Sequence, residues 1–230
     1  MSGSEGTKLW YLKNINLLRG MSAEQMAMVE SHTVMREVKR KEVLYLPGDA
    51  GDRIYLLKRG VVKISSLDKD GREIILALLR MGEVFGEEAA FDEAPRDHMA
   101  EAHEDALLCI INKNDFLQMM RSQPDLAFKV TKLVGFRLKT IRSRVEQLVF
   151  KGAPARLATV LLDIAKDHGV PDDDGIRISI RLSQQDLASL IGVSRESVNL
   201  ALADFRRKGL IEIEGRAIRV KDPEALRRLA

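Results

Sequence analysis

The chain has 230 residues, of which 45% are hydrophobic and 31% are charged, and its formal net charge is +3. These values suit an ordinary globular protein of two domains, and the charge permits nucleic-acid binding without requiring it. The apolar runs are too short to span a bilayer and residues 1–6 do not resemble a secretory signal, so we predict a cytoplasmic protein with no membrane partner. The single cysteine, Cys109, excludes an internal disulfide and a multi-cysteine metal site.

Residues 34–112 have the pattern of an antiparallel β-domain. Short runs rich in Val, Ile, Leu and Tyr are separated by turn signals, which is typical of a sandwich, jelly roll or barrel. The predicted strands are residues 42–46, 54–58, 61–66, 74–79 and 107–111. Ahead of them, residues 17–31 predict a helix that Ser22 can cap, with Gln25 three residues further on.

A long helix is predicted after the β-domain. Residues 115–122 predict a short helix, Pro124 can begin the next one, and residues 126–150 contain no proline. Apolar side chains recur along this segment at heptad spacing, at Val134, Leu138, Ile141, Val145 and Leu148. Such a seam predicts a two-helix coiled coil and therefore a homodimer, with a helix buried inside its own chain as the alternative. Residues 151–154 then predict a hinge.

Two short helices and a hairpin are predicted after the hinge. Ser183 can cap the first helix, at residues 184–190, and Ser194 can cap the second, which follows a turn that contains glycine. Further on, residues 211–214 and 218–220 predict a β-hairpin. A pair of capped helices followed by a hairpin is typical of a winged helix-turn-helix, which binds double-stranded DNA.

The start of the second helix carries the side chains that we expect to contact bases. Arginine can pair bidentately with guanine, and glutamate can accept a hydrogen bond from cytosine. The predicted DNA-binding residues are Ser183, Ser194, Arg195, Glu196, Ser197 and Asn199. The sequence shows no nucleophile–base motif, phosphate-binding loop or metal-ligand spacing that would indicate an enzyme or a metal site.

Three segments resemble one family of bacterial transcription regulators, the CRP/FNR family of the cyclic-AMP receptor protein and the fumarate-nitrate regulator. Residues 182–198 closely resemble its helix-turn-helix. Residues 47–55 and 60–63 resemble its second to fourth strands, and residues 82–96 resemble its phosphate-binding cassette. A cyclic-nucleotide-binding module of a kinase or a channel would lack the C-terminal helix-turn-helix and hairpin.

The resemblance implies an α+β fold in three parts. These are an N-terminal cyclic-nucleotide-binding-like antiparallel β-barrel (jelly roll) at residues 1–122, a dimerisation helix at 123–150 and a winged helix-turn-helix at 151–230. It also implies a homodimer on a pseudo-palindromic, TGTGA-like site, with RNA polymerase as a protein partner and with activation and repression both open. Leu200 stands where several members have a basic residue, which leaves one base of the half-site open.

The resemblance further implies a ligand pocket built on the cassette. Gly86 permits close approach to a phosphate, Glu87 can bind a ribose hydroxyl and Arg96 can pair with a cyclic phosphate. The predicted function of this pocket depends on how closely its remaining residues follow the cyclic-AMP-binding pattern.

Three positions depart from that pattern. Asp97 replaces a Ser or Thr, and Ile141 and Arg142 replace polar partners of adenine. We expect the carboxylate of Asp97 to pair with Arg96 and to occupy the anion site. This favours a vestigial cassette that needs no cofactor, with a cyclic dinucleotide and cyclic AMP as the alternatives.

Overall fold

The computed structural model describes residues 16–215 and 217–230. The prediction for residues 1–6 and the role of Arg216 in the predicted hairpin therefore lie outside the described residues. Within the described ranges, no helix is both long and apolar enough to cross a membrane.

The described chain divides into two compact units. The first comprises the residues up to Ser66 together with Leu76–Arg137, and the second comprises Leu67–Ile75 together with Leu138–Ala230.

The β-domain consists of eight strands between Thr33 and Asn112. They are β1 (Thr33–Val38), β2 (Val43–Tyr45), β3 (Arg53–Arg59), β4 (Val62–Leu67), β5 (Glu73–Leu79), β6 (Val84–Phe85), β7 (Met99–Ala102) and β8 (Ala106–Asn112). They form two four-stranded sheets with the orders β1-β8-β3-β6 and β2-β7-β4-β5. β8 pairs antiparallel with β1 and β3, and β7 pairs antiparallel with β2 and β4. The predicted antiparallel β-domain is confirmed, although β1, β6 and β7 were not predicted.

Strand β3 shows how the β-domain is packed. Its side chains alternate between the two faces of its sheet. Tyr55 and Leu57 lie in a core with residues of the second sheet, whereas Ile54 and Leu56 pack against helices. Because both faces are covered, residues 54–58 are all buried, which explains why the run is continuously apolar up to Leu57.

Three helices cover the outer face of this sheet. They are α1 (Ala23–Ser31), α2 (Lys113–Ser122) and the first half of α3 (Pro124–Phe150), which bury Met26, Val29, Phe116, Met119, Leu126 and Val130. The predicted helix over residues 17–31 is wrong in its first part. Gly20 adopts a left-handed φ of 80°, and α1 begins only after Ser22, where the predicted capping box with Gln25 is present.

The second unit contains the small C-terminal elements. They are α4 (Ala153–His168), β9 (Gly169–Asp172), β10 (Gly175–Ile178), α5 (Gln184–Ile191), α6 (Arg195–Arg207), β11 (Ile211–Glu214), β12 (Ala217–Val220) and α7 (Pro223–Leu229). The strands form one sheet in the order β11-β12-β10-β9, and α4 packs against α5, α6 and α7. The predicted winged helix-turn-helix fold is confirmed. The break between α3 and α4 falls at Lys151 and Gly152, inside the predicted hinge.

Candidate functional site

Two short capped helices form the first candidate site. Ser183 Oγ accepts a hydrogen bond from the backbone N–H of Asp186 at 3.0 Å, and the Asp186 carboxylate accepts one from the Ser183 N–H at 2.7 Å. α5 ends at Gly192, whose left-handed φ of 66° lets the chain turn sharply. Ser194 Oγ then accepts from the Ser197 N–H at 3.2 Å and caps α6. Both predicted caps are therefore present.

α6 presents one apolar and one polar face. Its buried face consists of Val198, Ala201, Leu202 and Phe205. Arg195 and Glu196 are exposed in the first turn, and Arg195 Nε lies 3.4 Å from Gln184 Oε1. The core therefore fixes the helix, while its N-terminal side chains remain accessible to a ligand.

Glu196 is held in its ionised form. A hydrogen bond from its own backbone N–H and a second from the Ser194 hydroxyl lower the pKa of Glu196 below its usual value, and the charge of Arg195 adds to the effect. The start of α6 thus offers a hydrogen-bond acceptor beside the donors of Arg195. These are the two groups that can distinguish cytosine from guanine in a major groove.

Asn199 is less accessible than its neighbours. It is half-buried, and its Oδ1 atom is enclosed and has no hydrogen-bond partner among the described residues. The next side chain, Leu200, is 75% exposed. The solvent-facing surface of α6 therefore includes an aliphatic side chain that was not among the predicted DNA-binding residues.

The hairpin beside α6 is anchored by one arginine. β11 and β12 pair in register, with Ile213 opposite Ile218. Arg219 Nη1 donates to Glu212 at 2.5 Å, and its Nη2 donates to Asp172 of β9 at 3.1 Å. The pair with Glu212 joins the two strands of the hairpin, and the pair with Asp172 connects the hairpin to the rest of its sheet.

The second candidate site is the cassette of the first unit, centred on Arg96. Its guanidinium is almost fully buried and lies 4.6 Å from the centre of the Tyr45 ring. Nη1 donates a hydrogen bond to the Gly86 carbonyl at 3.0 Å, and Nη2 donates one to the Arg53 carbonyl at 2.5 Å. Gly86 has a φ of 75°, and a Cβ there would lie 3.1 Å from Arg96 Nη2. A side chain at this position would crowd the guanidinium.

The anion that faces Arg96 is Glu88, not Asp97. Arg96 Nη1 lies 2.6 Å from Glu88 Oε1. The predicted pairing of Arg96 with Asp97 is wrong. The Asp97 side chain is 90% exposed and lies 2.6 Å from His98 Nδ1, and this hydrogen bond lowers the pKa of Asp97. The physical reason is that Arg96 pairs through its backbone with Gly48 and Asp49 as a strand would, so the next side chain points to the other side.

His98 and Tyr45 lie beside this ion pair. Tyr45 Oη lies 2.9 Å from His98 Nε2, and the same nitrogen lies 3.5 Å from Glu88 Oε1. Burial raises the pKa of Tyr45, and the charge of Glu88 acts in the same direction. The phenol therefore remains a neutral hydrogen-bonding group beside the pair.

Glu87 is buried, and its carboxylate pairs with a residue of α3. Its Oε1 accepts a hydrogen bond from Arg137 Nη1, while Arg137 Nη2 donates to the Val84 carbonyl. Burial raises the pKa of Glu87, and Arg137 opposes this effect. The second oxygen of Glu87, Oε2, is enclosed and has no hydrogen-bond partner among the described residues.

The structure brings only some of the predicted pocket residues together. Gly86, Glu87 and Arg96 lie in one cassette, whereas Ile141 and Arg142 belong to the second unit. Ile141 is exposed, and Arg142 is also exposed, with Glu146 at 4.0 Å.

The predicted seam of α3 is exposed along its whole length. Its exposed fractions are 41% for Val134, 67% for Leu138, 59% for Ile141, 53% for Val145 and 53% for Leu148. The alternative of a helix whose seam is buried inside its own chain is therefore excluded within the described residues.

Sequence reasoning missed Glu88, Tyr45, His98 and Arg137. The adjacent pair of glutamates in the cassette is the one signal that could have indicated a second carboxylate near Arg96.

The described residues contain no group of three His, Cys, Asp or Glu that could hold a metal ion.

Comparisons with known proteins match both the β-domain and the C-terminal helix-turn-helix. The model of the cyclic nucleotide-binding domain matches residues 35–123, and that of the Crp-like helix-turn-helix domain matches residues 155–229. The chain is 29% identical to a CRP-like cAMP-activated global transcriptional regulator of Mycobacterium tuberculosis over 95% of this chain and 98% of the relative. It is 33% identical to the global nitrogen regulator of Synechocystis over 84% of this chain and 87% of the relative.

Solved structures show the same architecture. A CRP-family transcriptional regulator of Thermus thermophilus is 31% identical, with a TM-score of 0.73, and the match covers 85% of this chain and 96% of that one. The fold, the two family models and the relatives thus define a DNA-binding transcription regulator rather than an enzyme. The chain belongs to the CRP/FNR family of transcriptional regulators, as its sequence predicted.

Proposed function

We propose that the protein is a homodimeric transcription regulator that binds a pseudo-palindromic site with TGTGA-like half-sites and does so without cyclic AMP. The observation that carries the proposal is the capped start of α6, where Arg195 and Glu196 are exposed together. In a helix-turn-helix, the N-terminal residues of the second helix contact base edges. An arginine beside an ionised glutamate fits a half-site that contains guanine and cytosine edges.

The exposed seam of α3 supports the homodimer. Five apolar side chains at heptad spacing face solvent in the single chain, and two copies of the helix can bury them against each other. A two-fold symmetric dimer places two α6 helices in successive major grooves, about 34 Å apart. The pseudo-palindrome follows from this symmetry.

The Arg96–Glu88 pair supports binding without cyclic AMP. A cyclic phosphate bound to Arg96 would have to displace Glu88 or lie beside it. Two like unit charges about 4 Å apart repel by about 4 kcal/mol at an effective dielectric of about 20. Half of this repulsion already weakens binding more than tenfold. Ile141 also provides no hydrogen-bond partner for adenine if it occupies the position that the family resemblance implies.

The second candidate is a regulator that a cyclic nucleotide or cyclic dinucleotide activates. Arg96 Nε and Glu87 Oε2 are both enclosed without a hydrogen-bond partner among the described residues, so a ligand with suitable donors and acceptors could pair with them. The Mycobacterium tuberculosis relative is described as cAMP-activated. A cyclic nucleotide that displaced Glu88 would then be the effector.

The decisive experiment first selects the operator from random DNA with the purified full chain. Fluorescence anisotropy then measures its affinity with and without cyclic AMP and cyclic di-GMP, and calorimetry measures direct binding of both. We expect a two-fold symmetric motif and equal affinities in all conditions. Operator binding that requires either nucleotide supports the second candidate. Transcription with purified RNA polymerase on that operator tests the expected protein partner.

A further inference from the structure

Leu200 is the most exposed leucine in the described residues, with 75% of its surface accessible. It lies on α6, four residues after Glu196, so the two side chains lie on the same face of the helix. The opposite face is the buried one, which holds Val198 and Leu202. Leu200 therefore contributes nothing to the core of its unit, and its position on the base-contacting face needs a separate explanation.

The major groove offers few apolar groups to such a side chain. Each base edge presents hydrogen-bond donors and acceptors, and only thymine adds a methyl group, at C5. Leucine can neither donate nor accept a hydrogen bond. Placed against guanine, cytosine or adenine, it would remove water from polar atoms without replacing the lost hydrogen bonds, which is unfavourable.

We propose that Leu200 determines specificity by contacting the C5 methyl group of a thymine in each half-site of the operator. The proposal rests on the proposed function of α6 as a DNA-reading helix. Four residues advance an α-helix by about 6 Å, and successive base pairs are about 3.4 Å apart. The thymine therefore lies one or two base pairs from the base that Glu196 contacts.

Replacing single thymines by deoxyuridine tests this contact directly. Deoxyuridine lacks the C5 methyl group and keeps every hydrogen-bonding atom of thymine. On the selected operator, we expect the substitution at one position to weaken binding about three- to fivefold for each half-site that carries it, the effect of one buried methyl group. Substitutions at the other thymines should change affinity less.

Variants of the protein assign the effect to the residue. Leu200→Ala should bind thymine and deoxyuridine operators equally, whereas Leu200→Met, which keeps a long apolar side chain, should retain the preference. Leu229→Ala removes another exposed leucine, on α7 rather than α6, and should behave like the wild type. The wild type should bind an operator with 5-methylcytosine at the same position more tightly than one with cytosine. Leu200→Ala should bind these two operators with equal affinity.

The outcomes distinguish a failure of the Leu200 contact from a failure of the proposed function. If the wild type fails to distinguish its selected operator from scrambled DNA, the proposed function fails. If it binds the operator specifically but no deoxyuridine substitution weakens binding, or if the weakening persists in Leu200→Ala, the role of Leu200 is overturned while the proposed function stands.

Discussion

Arg96 and Glu88 form an ion pair at 2.6 Å inside residues 82–96, the segment that resembles the family's phosphate-binding cassette. The arginine side chain is 2% exposed, whereas the glutamate side chain is 43% exposed. The buried cation therefore obtains its anion from the protein itself, through a side chain that can still move towards solvent. This relationship makes the cassette testable without a known ligand.

Removing the internal anion should destabilise the protein and open the site. We expect Glu88→Ala to lower the free energy of unfolding, because it leaves a buried guanidinium without a counter-ion. The expected loss is only about 1–3 kcal/mol, since Glu88 is itself partly exposed. Added phosphate or cyclic AMP should recover part of this loss in the variant and little in the wild type. Urea unfolding and thermal shift measure both effects.

Asp97→Ala is the matched control for Glu88→Ala. It removes a neighbouring carboxylate whose side chain is 90% exposed and bonded to His98 rather than to Arg96. We expect a change within about 0.5 kcal/mol and no new response to phosphate. If Asp97→Ala and Glu88→Ala behave alike, Glu88 is not the anion that holds Arg96.

Arg195→Ala should weaken operator binding by about 1–3 kcal/mol and relax specificity at one base pair. The arginine is exposed at the start of α6, so its loss should leave the thermal stability unchanged. Selection from random DNA with the variant identifies the base pair, and anisotropy gives the affinity. Arg227→Ala, an exposed arginine on α7, should leave base preference intact. A uniform loss at all positions would instead make Arg195 a phosphate contact.

Ile141→Asp should convert the proposed dimer to a monomer and abolish operator binding. The substitution places a carboxylate next to its symmetry mate in an apolar seam, where an unpaired charge is costly. Light scattering measures the oligomeric state. Lys139→Asp changes an exposed residue outside the seam of the same helix and should remain dimeric. An intact dimer in Ile141→Asp would contradict the proposed interface.

The sequence predicts some elements of the β-domain far better than others. The apolar run of β3 is evident because that strand is buried on both faces. β7 consists of Met99, Ala100, Glu101 and Ala102, and the alanines and the glutamate have low strand propensity. It forms a strand because β2 and β4 pair with it on either side. The residues of β7 alone do not predict that pairing.

The two candidate sites also differ in how well the sequence predicts them. The caps Ser183 and Ser194 act within three residues, so sequence spacing alone predicts them. The partner of Arg96 depends on the side to which successive side chains point. That direction is set by backbone pairing with Gly48 and Asp49, which are far away in the sequence. For this reason proximity in sequence favoured Asp97 wrongly, and the tertiary fold selected Glu88.

Glu87 should make the stability of the protein depend on pH in a way that Glu87→Gln removes. Burial raises the pKa of Glu87 above its usual value of 4.5, despite the opposing charge of Arg137. A carboxyl group whose pKa is raised in the folded state binds its proton more tightly there than in the unfolded chain. Its favourable contribution is therefore complete below pH 4.5 and is lost as the pH rises through the folded-state pKa.

Urea unfolding between about pH 4 and pH 8 measures this dependence. We expect the free energy of unfolding of the wild type, minus that of Glu87→Gln, to fall as the pH rises above 4.5 and then to become constant. The amide of the variant keeps the size of the side chain but does not titrate. The effect of the Arg137 ion pair is already contained in the folded-state pKa of Glu87, so the remaining difference between the acid and the amide adds an offset that is constant with pH. A difference that rises with pH over this range would show that Arg137 outweighs burial and lowers the pKa of Glu87.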